Sequence, residues 1–183
     1  MTAESLFTRN LRELARYNRR ANARLYDRCA ELPDEVLRET TDAALGSVLA
    51  LLEHVLAADR IWLARLQGRR VDTTGLSAPT FRELAPLRRE RDAMDDAIEV
   101  FVEEADEAFL AGTLRSVDSR GEVHMDPVHR LVMHMFNHQT HHRGQVHTVL
   151  RQWRQEPLAL DLHRLLRDDP PTPEEPSPND VQH

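Results

Sequence analysis

The stretch that decides the fold is Asp126-Pro-Val-His129-Arg-Leu-Val-Met-His134-Met-Phe-Asn-His138-Gln-Thr-His141-His142-Arg-Gly-Gln145, which continues without another proline to Trp153. Apolar residues recur in it at helical spacing, which predicts one long helix. Asp126 is a typical helix cap and Pro127 a typical first helical residue, so we expect the helix to begin there and to end near Trp153. This single helix carries most of the ten histidines.

The histidines of this helix share one face. At 100° per residue, one arc of roughly 100° contains His134, His138, His141, His142 and Gln145. Neutral imidazole is the commonest protein ligand of transition metals, and an i, i+4 pair directs two ring nitrogens at one point. The pattern therefore predicts a metal site on this face, although a polar, solvated helix face would show the same spacing.

A catalytic metal site commonly has three protein ligands and one open position. His54 lies at the edge of the apolar stripe of another predicted helix and can point toward the histidine-rich one. It is the candidate third ligand, and the alternative is a half-buried histidine with one hydrogen bond. Proteolysis by the His-Glu-x-x-His route is excluded, because Gln139 occupies the position where that motif has its basic glutamate.

The remaining pattern is helical almost throughout. We expect a first helix over 4–31, a second over 46–67 with Gly68 as its C-terminal cap, and a third that begins at a capping box and runs to about Ala111. Thr80 and Glu83 form that box, and Pro86 either ends a first turn or kinks the helix. Thr113–Val117 and 122–124 predict a short hairpin or an extended loop around the turn 119–121, and Asp161 is expected to cap a short helix over 162–167.

These elements favour an all-α protein, an antiparallel four-helix bundle over residues 1–167 with a short extra C-terminal helix. Residues 168–183 hold five of the ten prolines and several acids, and we expect a disordered tail.

Two polar residues lie on apolar stripes. Asn18 is expected to bond a backbone group or an arginine across the bundle, whereas Asp59 could do the same or could orient a metal-ligating histidine.

Composition excludes several classes of protein. The net charge is −7 and every one of the 24 basic residues is arginine, so the chain lacks the basic excess of a nucleic-acid-binding protein. Its single cysteine, Cys29, excludes an internal disulfide framework. The sequence has no apolar run long enough to span a membrane and no signal-like N-terminus, so we expect no membrane association and a cytoplasmic location.

The string Asn137-His138-Gln-Thr-His141-His142-Arg143-Gly144-Gln145 resembles the signature of the DinB-like (YfiT-like) family of proposed metalloenzymes. The likeness covers most of the chain, including Arg16–Leu25, Leu45–Gly68 and Leu158–Arg167. The sequence departs from the family at Arg19-Arg20, where an aromatic residue is more common, and in the turn Arg151–Pro157, which lacks a frequent glycine.

The resemblance implies an up-down-down-up four-helix bundle, commonly a homodimer. It also implies a divalent metal, nickel or zinc, held by His54, His138 and His142. Characterised relatives use their metal to activate a low-molecular-weight thiol for S-transfer or isomerisation, so the expected partner is a small-molecule substrate. The damage-inducible name describes expression, and a non-catalytic metal- or small-molecule-binding protein of the stress response is the alternative function.

Two neighbouring residues have expected roles beside the ligands. His141 could shuttle a proton or simply bond a carbonyl, and Gln145 could orient water or substrate. A metal held by three neutral histidines stays strongly Lewis acidic and favours an anionic thiol or water at neutral pH. Three apolar residues are expected outside the main apolar stripes of the helices, namely Phe109, Leu110 and Val117. They indicate where the surface between the two subunits of a dimer would lie.

Overall fold

The structure is a computed structural model that describes residues 5–41, 46–69, 80–117, 121–153 and 155–167. Within these ranges the chain is mostly helical, with one small sheet. The elements in chain order are α1 (Leu6–Cys29), α2 (Asp34–Leu37), α3 (Val48–Leu66), α4 (Leu84–Glu104), α5 (Glu107–Leu110), β1 (Thr113–Val117), β2 (Val123–Pro127), α6 (Val128–Gln152) and α7 (Leu162–Leu165).

The four long helices pack side by side and bury apolar residues between them. Helix α1 packs against α4 and α6, and α3 packs against the same two helices. Each long helix contributes an apolar face, and the buried residues form two clusters, one at each end of the helices. Within the described residues, no helix is both long enough and apolar enough to cross a bilayer.

Several predicted boundaries are confirmed to within two residues. Helix α1 begins at a Ser5 cap, whose hydroxyl accepts a hydrogen bond from the Thr8 amide, and α3 begins at an equivalent Ser47 cap. Gly68 follows the end of α3 with a φ of 68°, a left-handed conformation that glycine adopts without a Cβ clash. The predicted hairpin is also present, because β1 and β2 pair antiparallel from Thr113–Pro127 to Val117–Val123. Most of its predicted turn, residues 118–120, and the tail 168–183 lie outside the described residues.

The predicted third helix is wrong at both ends. The Thr80 hydroxyl and amide bond the Glu53 carboxylate across to α3, at 2.5 and 2.6 Å, so the predicted capping box does not form. Helix α4 instead begins at Leu84, whose amide donates to Asp34 at 2.9 Å. Because Pro86 then lies in the first turn, it interrupts no helical hydrogen bond and causes no kink.

The same helix ends seven residues earlier than predicted. Ala105 is extended at ψ 113°, which stops α4, and the Asp106 carboxylate accepts from the Phe109 amide at 2.7 Å to cap the short helix α5. Two of the residues expected on a free surface are therefore not exposed. Leu110 is 3% exposed in the core and Phe109 packs partly buried against it, whereas Val117 is exposed as expected.

Helix α6 begins one residue later than predicted. Asp126 is the penultimate residue of β2, and Pro127 is the capping position in place of Asp126. The hairpin thus continues directly into the histidine-rich helix. Helix α7 spans Leu162–Leu165 with Asp161 at its cap position, although the Asp161 side chain makes no capping hydrogen bond.

A buried polar cluster joins the four long helices at mid-height. Its side chains are at most 3% exposed and come from α1 (Asn18, Asn22), α3 (Asp59), α4 (Arg91, Asp95) and α6 (Gln139, Arg143). Arg91 bridges the carboxylates of Asp59 and Asp95. The expectation for Asn18 is confirmed, because its amide oxygen accepts from Arg143 of α6. Among the described residues Asp59 bonds Arg91 and no histidine, which contradicts the alternative that it orients a metal ligand.

Candidate metal centre

The polar cluster fixes how α6 is rotated. Gln139 and Arg143 are buried and bond Asn22 of α1, at 3.1 Å each. Successive residues of an α-helix are rotated by 100° about the helix axis. Because Gln139 and Arg143 face the core, the residue before each of them faces sideways, toward a neighbouring helix. Those residues are His138 and His142, and they face α3 at the level of His54.

Three imidazoles meet at this point. One ring nitrogen each of His54, His138 and His142 lies within 4.8 Å of the other two, and no other histidine, cysteine or carboxylate among the described residues belongs to the group. The ring centroids are 4.4 Å apart for His138 and His142, 4.6 Å for His54 and His142, and 5.2 Å for His54 and His138. All three side chains are half-buried.

Hydrogen bonding sets the tautomer of His142. Its Nδ1 lies 2.7 Å from the Gln145 amide oxygen, which can only accept, so Nδ1 carries the proton. In the neutral ring the lone pair is then on Nε2, and Nε2 lies 3.1 Å from Nε2 of His138. An imidazole whose other nitrogen donates to a fixed acceptor is the usual form of a metal-ligating histidine.

Contacts within the chain do not fully satisfy His138. Its Nδ1 is buried and has no hydrogen-bond partner among the described residues. With the proton on Nδ1, two Nε2 lone pairs would face each other at 3.1 Å. A cation relieves that repulsion. Two nitrogen ligands of a tetrahedral zinc at about 2.0–2.1 Å lie roughly 3.3 Å apart, so the spacing and the donor set both fit a divalent metal.

Burial keeps these rings neutral. It lowers the pKa of His138 to about 4, with further lowering by the neighbouring His142 and His54. Burial likewise lowers the pKa of His54 and of His142, and for His142 the hydrogen bond to Gln145 partly opposes it. A neutral imidazole is the form that coordinates metal, so the environment favours coordination near neutral pH.

Gln145 lies between two histidines. Its oxygen accepts from His142, and its amide nitrogen is 3.1 Å from Nε2 of His141, to which it donates. His141 is exposed and is outside the three-histidine group. His141, the expected proton shuttle, is thus connected to the candidate ligand His142 through Gln145, which was expected to orient water or substrate.

The other histidines of α6 lie elsewhere. His134 is exposed and packs edge-on against Trp62, with ring centroids 5.0 Å apart, and its ring is 6.1 Å from that of His138. His147 Nε2 accepts from the Leu158 amide at 3.3 Å. Gln139 faces the buried polar cluster, where its amide oxygen accepts from Asn22 at 3.1 Å.

Sequence reasoning missed the residues that hold and border the site. Arg91, Asp95 and Asn22 were not identified as a buried cluster, although Arg91 and Asp95 are spaced i, i+4 among apolar positions of α4. Trp62 and Arg65 were not connected with the histidines, since an aromatic residue on an apolar stripe ordinarily belongs to the core.

Comparison with known proteins identifies the family of this chain. The family model described as "DinB family" matches residues 4–175. The chain is also similar to "Protein DinB" of Bacillus subtilis (strain 168), with 25% identity over 147 residues, which cover 76% of this chain and 84% of the relative.

Proposed function

Because this chain belongs to the DinB family and brings three imidazoles together, we propose that it is a divalent-metal-dependent enzyme. His54, His138 and His142 hold the metal, and nickel or zinc suits three imidazole ligands. The observation that carries the proposal is the convergence of three ring nitrogens within 4.8 Å, with no carboxylate in the group and with lowered histidine pKa values.

The bound metal would act as a Lewis acid that lowers the pKa of a thiol or a water at its open position. A thiol is the softer ligand, so we propose a low-molecular-weight thiol as co-substrate and transfer of its sulfur to an electrophile. Water in the same position would give a hydrolase. The protein contributes neutral ligands that add no negative charge to the centre.

Gln145 and His141 are the proposed catalytic residues around this centre. Gln145 holds the Nδ1 proton of His142, which keeps the His142 lone pair directed at the other two rings. His141 is exposed at the far side of Gln145 and is placed to pass a proton to solvent. We expect neither residue to bind the metal.

Two other functions use the same residues differently. A stress-response protein could bind a metal or a small molecule without turnover, in which case the metal would stay but no thiol would be consumed. A purely structural cluster would bind no metal at all. The unpartnered Nδ1 of His138 and the facing Nε2 atoms favour metal binding over packing.

Cobalt substitution tests the thiol directly. A thiol that reaches cobalt adds sulfur-to-metal charge-transfer absorption, and this band should increase with pH as the thiolate forms. It should be absent in His142→Ala. A cobalt spectrum that no common cellular thiol alters would refute thiol activation and leave hydrolysis or simple binding.

The His141→Ala variant separates the shuttle from the ligands. It should keep its metal and its thiol-dependent spectrum but consume thiol and electrophile more slowly, by about 10²-fold or more if general acid–base catalysis is lost. An unchanged rate would remove His141 from the mechanism.

The proposal extends to the assembly. We propose that the four long helices form the up-down-down-up bundle implied by the family, that the protein is a homodimer, and that it acts in the cytoplasm on a small molecule. The exposed apolar residues of the hairpin, Val117, Val123 and Met125, support a dimer surface there. Sedimentation at micromolar concentration should give twice the 21.1 kDa chain mass, and a clean monomer would contradict this.

A further inference from the structure

A small cavity lies in the core beside the buried polar cluster, and all four long helices contribute to its wall. Apart from His142, which is half-buried, the described residues that line it are at most 5% exposed. The cavity has a volume of about 10 Å³. A single water molecule needs a space of about 10–15 Å³ measured in the same way. The core therefore encloses a space of the size of one water.

Two polar side chains in this wall have atoms that no protein group satisfies. Tyr26 of α1 is 2% exposed, and within the described parts of the chain its hydroxyl has no hydrogen-bond partner. Arg91 of α4 pairs with Asp59 and Asp95 through its two terminal nitrogens, but its buried Nε has no described partner. Buried polar atoms are nearly always hydrogen-bonded to protein or to ordered water, so both atoms need a partner in or beside the cavity.

The chemistry of these groups is complementary to water. Burial raises the pKa of Tyr26, so its hydroxyl stays protonated and can donate, and the Nε of Arg91 can only donate. A water oxygen accepts two hydrogen bonds. The wall also contains the amide of Asn22, whose oxygen accepts from Arg143 at 3.1 Å and has a second lone pair for a water proton.

We propose that this cavity is a binding site for one ordered water molecule, held by Tyr26, Arg91 and Asn22. The water accepts from the Tyr26 hydroxyl and from Arg91 and donates to the Asn22 amide oxygen. Three hydrogen bonds are typical of a buried water. The site joins Tyr26 to the polar cluster and fills the space on the core side of His142. It does not depend on whether a metal is bound.

A high-resolution crystal structure of the full chain tests the position. We expect one water within about 2.7–3.2 Å of the Tyr26 hydroxyl oxygen and of an Arg91 nitrogen. A Tyr26 hydroxyl that bonds a protein atom instead, or a cavity without a water, would overturn the proposal.

Variants test the same site in solution, where oxygen-17 magnetic relaxation dispersion counts the waters that stay in a protein for longer than it tumbles. Val146 lines the cavity, so the added methyl group of Val146→Ile should displace one such water. Val149→Ile is the matched control, because Val149 is buried in the same apolar cluster three residues later but is not among the residues that line the cavity. It should keep the wild-type count.

A second pair of variants removes a hydroxyl and does not fill space. Tyr26→Phe should lose the same water, because too few polar partners then remain around it. Tyr17→Phe is the control, since the Tyr17 hydroxyl donates directly to the Leu160 carbonyl at 3.0 Å. None of the four variants changes a proposed metal ligand, so any water at a metal contributes equally to every count.

The loss of one long-lived water in Tyr26→Phe and in Val146→Ile, with none lost in the two controls, supports the site. Retention of that water in Tyr26→Phe, or in a folded Val146→Ile, overturns it. An equal loss in the controls overturns it as well, because the effect would then not be specific to the cavity. If Val146→Ile does not fold, the comparison of Tyr26→Phe with Tyr17→Phe decides.

Discussion

Two polar clusters share α6 and differ in how their atoms are satisfied. Gln139 and Arg143 point into the core, where both bond Asn22 of α1 and Arg143 also bonds Asn18, although Nε2 of Gln139 has no hydrogen-bond partner among the described residues. His138 and His142, each one residue earlier, point at His54, where three ring nitrogens converge and the two facing Nε2 atoms can share only one proton. The first arrangement ties α6 to α1, and the second directs lone pairs at one point, as a ligand-binding site does.

Charge distinguishes the clusters as well. The core cluster contains two arginines and two aspartates, so it can be neutral as a whole although each group is ionisable. The histidine cluster is neutral because burial lowers the pKa of each ring. A cation entering the first would disturb a balanced set of charges, whereas a cation entering the second meets neutral rings.

The largest expected effect comes from unbalancing the core cluster. Arg91→Leu would leave Asp59 and Asp95 buried without their cation, and we expect a loss of about 3–5 kcal/mol in the free energy of unfolding. Denaturant titration measures it. Arg88→Leu on the same helix removes an exposed pair with Asp27 and should cost at most about 1 kcal/mol. Equal losses in both variants would mean that the core cluster has no special role.

The next largest effect is expected on metal affinity, when the hydrogen bond between Gln145 and His142 is removed. Gln145→Ala removes the acceptor that holds His142, and we expect metal affinity to fall about 10- to 100-fold with little change in stability. Competition with a coloured chelator measures the affinity. Thr148→Ala is the control one turn away, since its hydroxyl bonds only the Gly144 carbonyl within the helix. Undiminished affinity in Gln145→Ala would show that this contact is incidental.

A smaller effect is expected on the pH dependence of stability, which should differ between the two clusters. In metal-free protein the folded-state pKa of His138 is lowered to about 4, so between that value and the ordinary pKa near 6.5 the unfolded chain binds more protons. His138 therefore favours the folded state less as pH falls from about 6.5 to 4. The stability of the wild type relative to His138→Ala should decrease over this window. A relative stability that rises on acidification would contradict the lowered pKa.

The core cluster should respond with the opposite sign. Burial raises the pKa of Asp59 to about 6, although Arg91 lowers it, so the folded state holds the proton more strongly than the unfolded chain. The stability that Asp59 contributes through this proton is fully present at a pH below the ordinary aspartate pKa. It is lost as the pH rises through about 6. Asp59→Asn, measured against the wild type over the same range, should remove that slope. A slope of the other sign would mean that Arg91 dominates.

The smallest effect is expected at the C-terminus. Residues 170–183 are rich in proline and acids, and truncation after Asp169 should change the melting temperature by no more than about two degrees. Scanning calorimetry of both proteins measures this. A larger decrease would mean that the segment packs against the helices or a second subunit.

The sequence predicted the histidine face because its signal is local. Positions four apart on one helix must lie together, so the shared face of His134, His138 and His142 required no knowledge of the fold. The family resemblance then selected His138 and His142 as the expected ligands. His54 was only a candidate from the residues themselves and became an expected ligand through the family resemblance, because which helix packs beside α6 is not visible in local spacing. The long helices were predictable for the same reason, since apolar periodicity is a local property.

What the sequence did not predict depends on contacts between distant segments. Thr80 and Glu83 have the spacing of a capping box, yet Thr80 bonds Glu53 of another helix and Asp34 caps α4 in its place. The core cluster was missed for a similar reason, because Arg91 on its own resembles any helical surface arginine. Only the packing of four helices shows that its partners make its burial tolerable.

The central claim is that His54, His138 and His142 hold a metal, and metal analysis of protein purified without an affinity tag tests it most directly. We predict about one divalent ion per chain, lost in His138→Ala and in His54→Ala and retained in His147→Ala, whose ring bonds the Leu158 amide elsewhere. The nearest rival is a site built from His134 and His138, which would lose its metal in His134→Ala. Loss of the metal in both His138→Ala and His147→Ala, or in neither of them, would contradict the account.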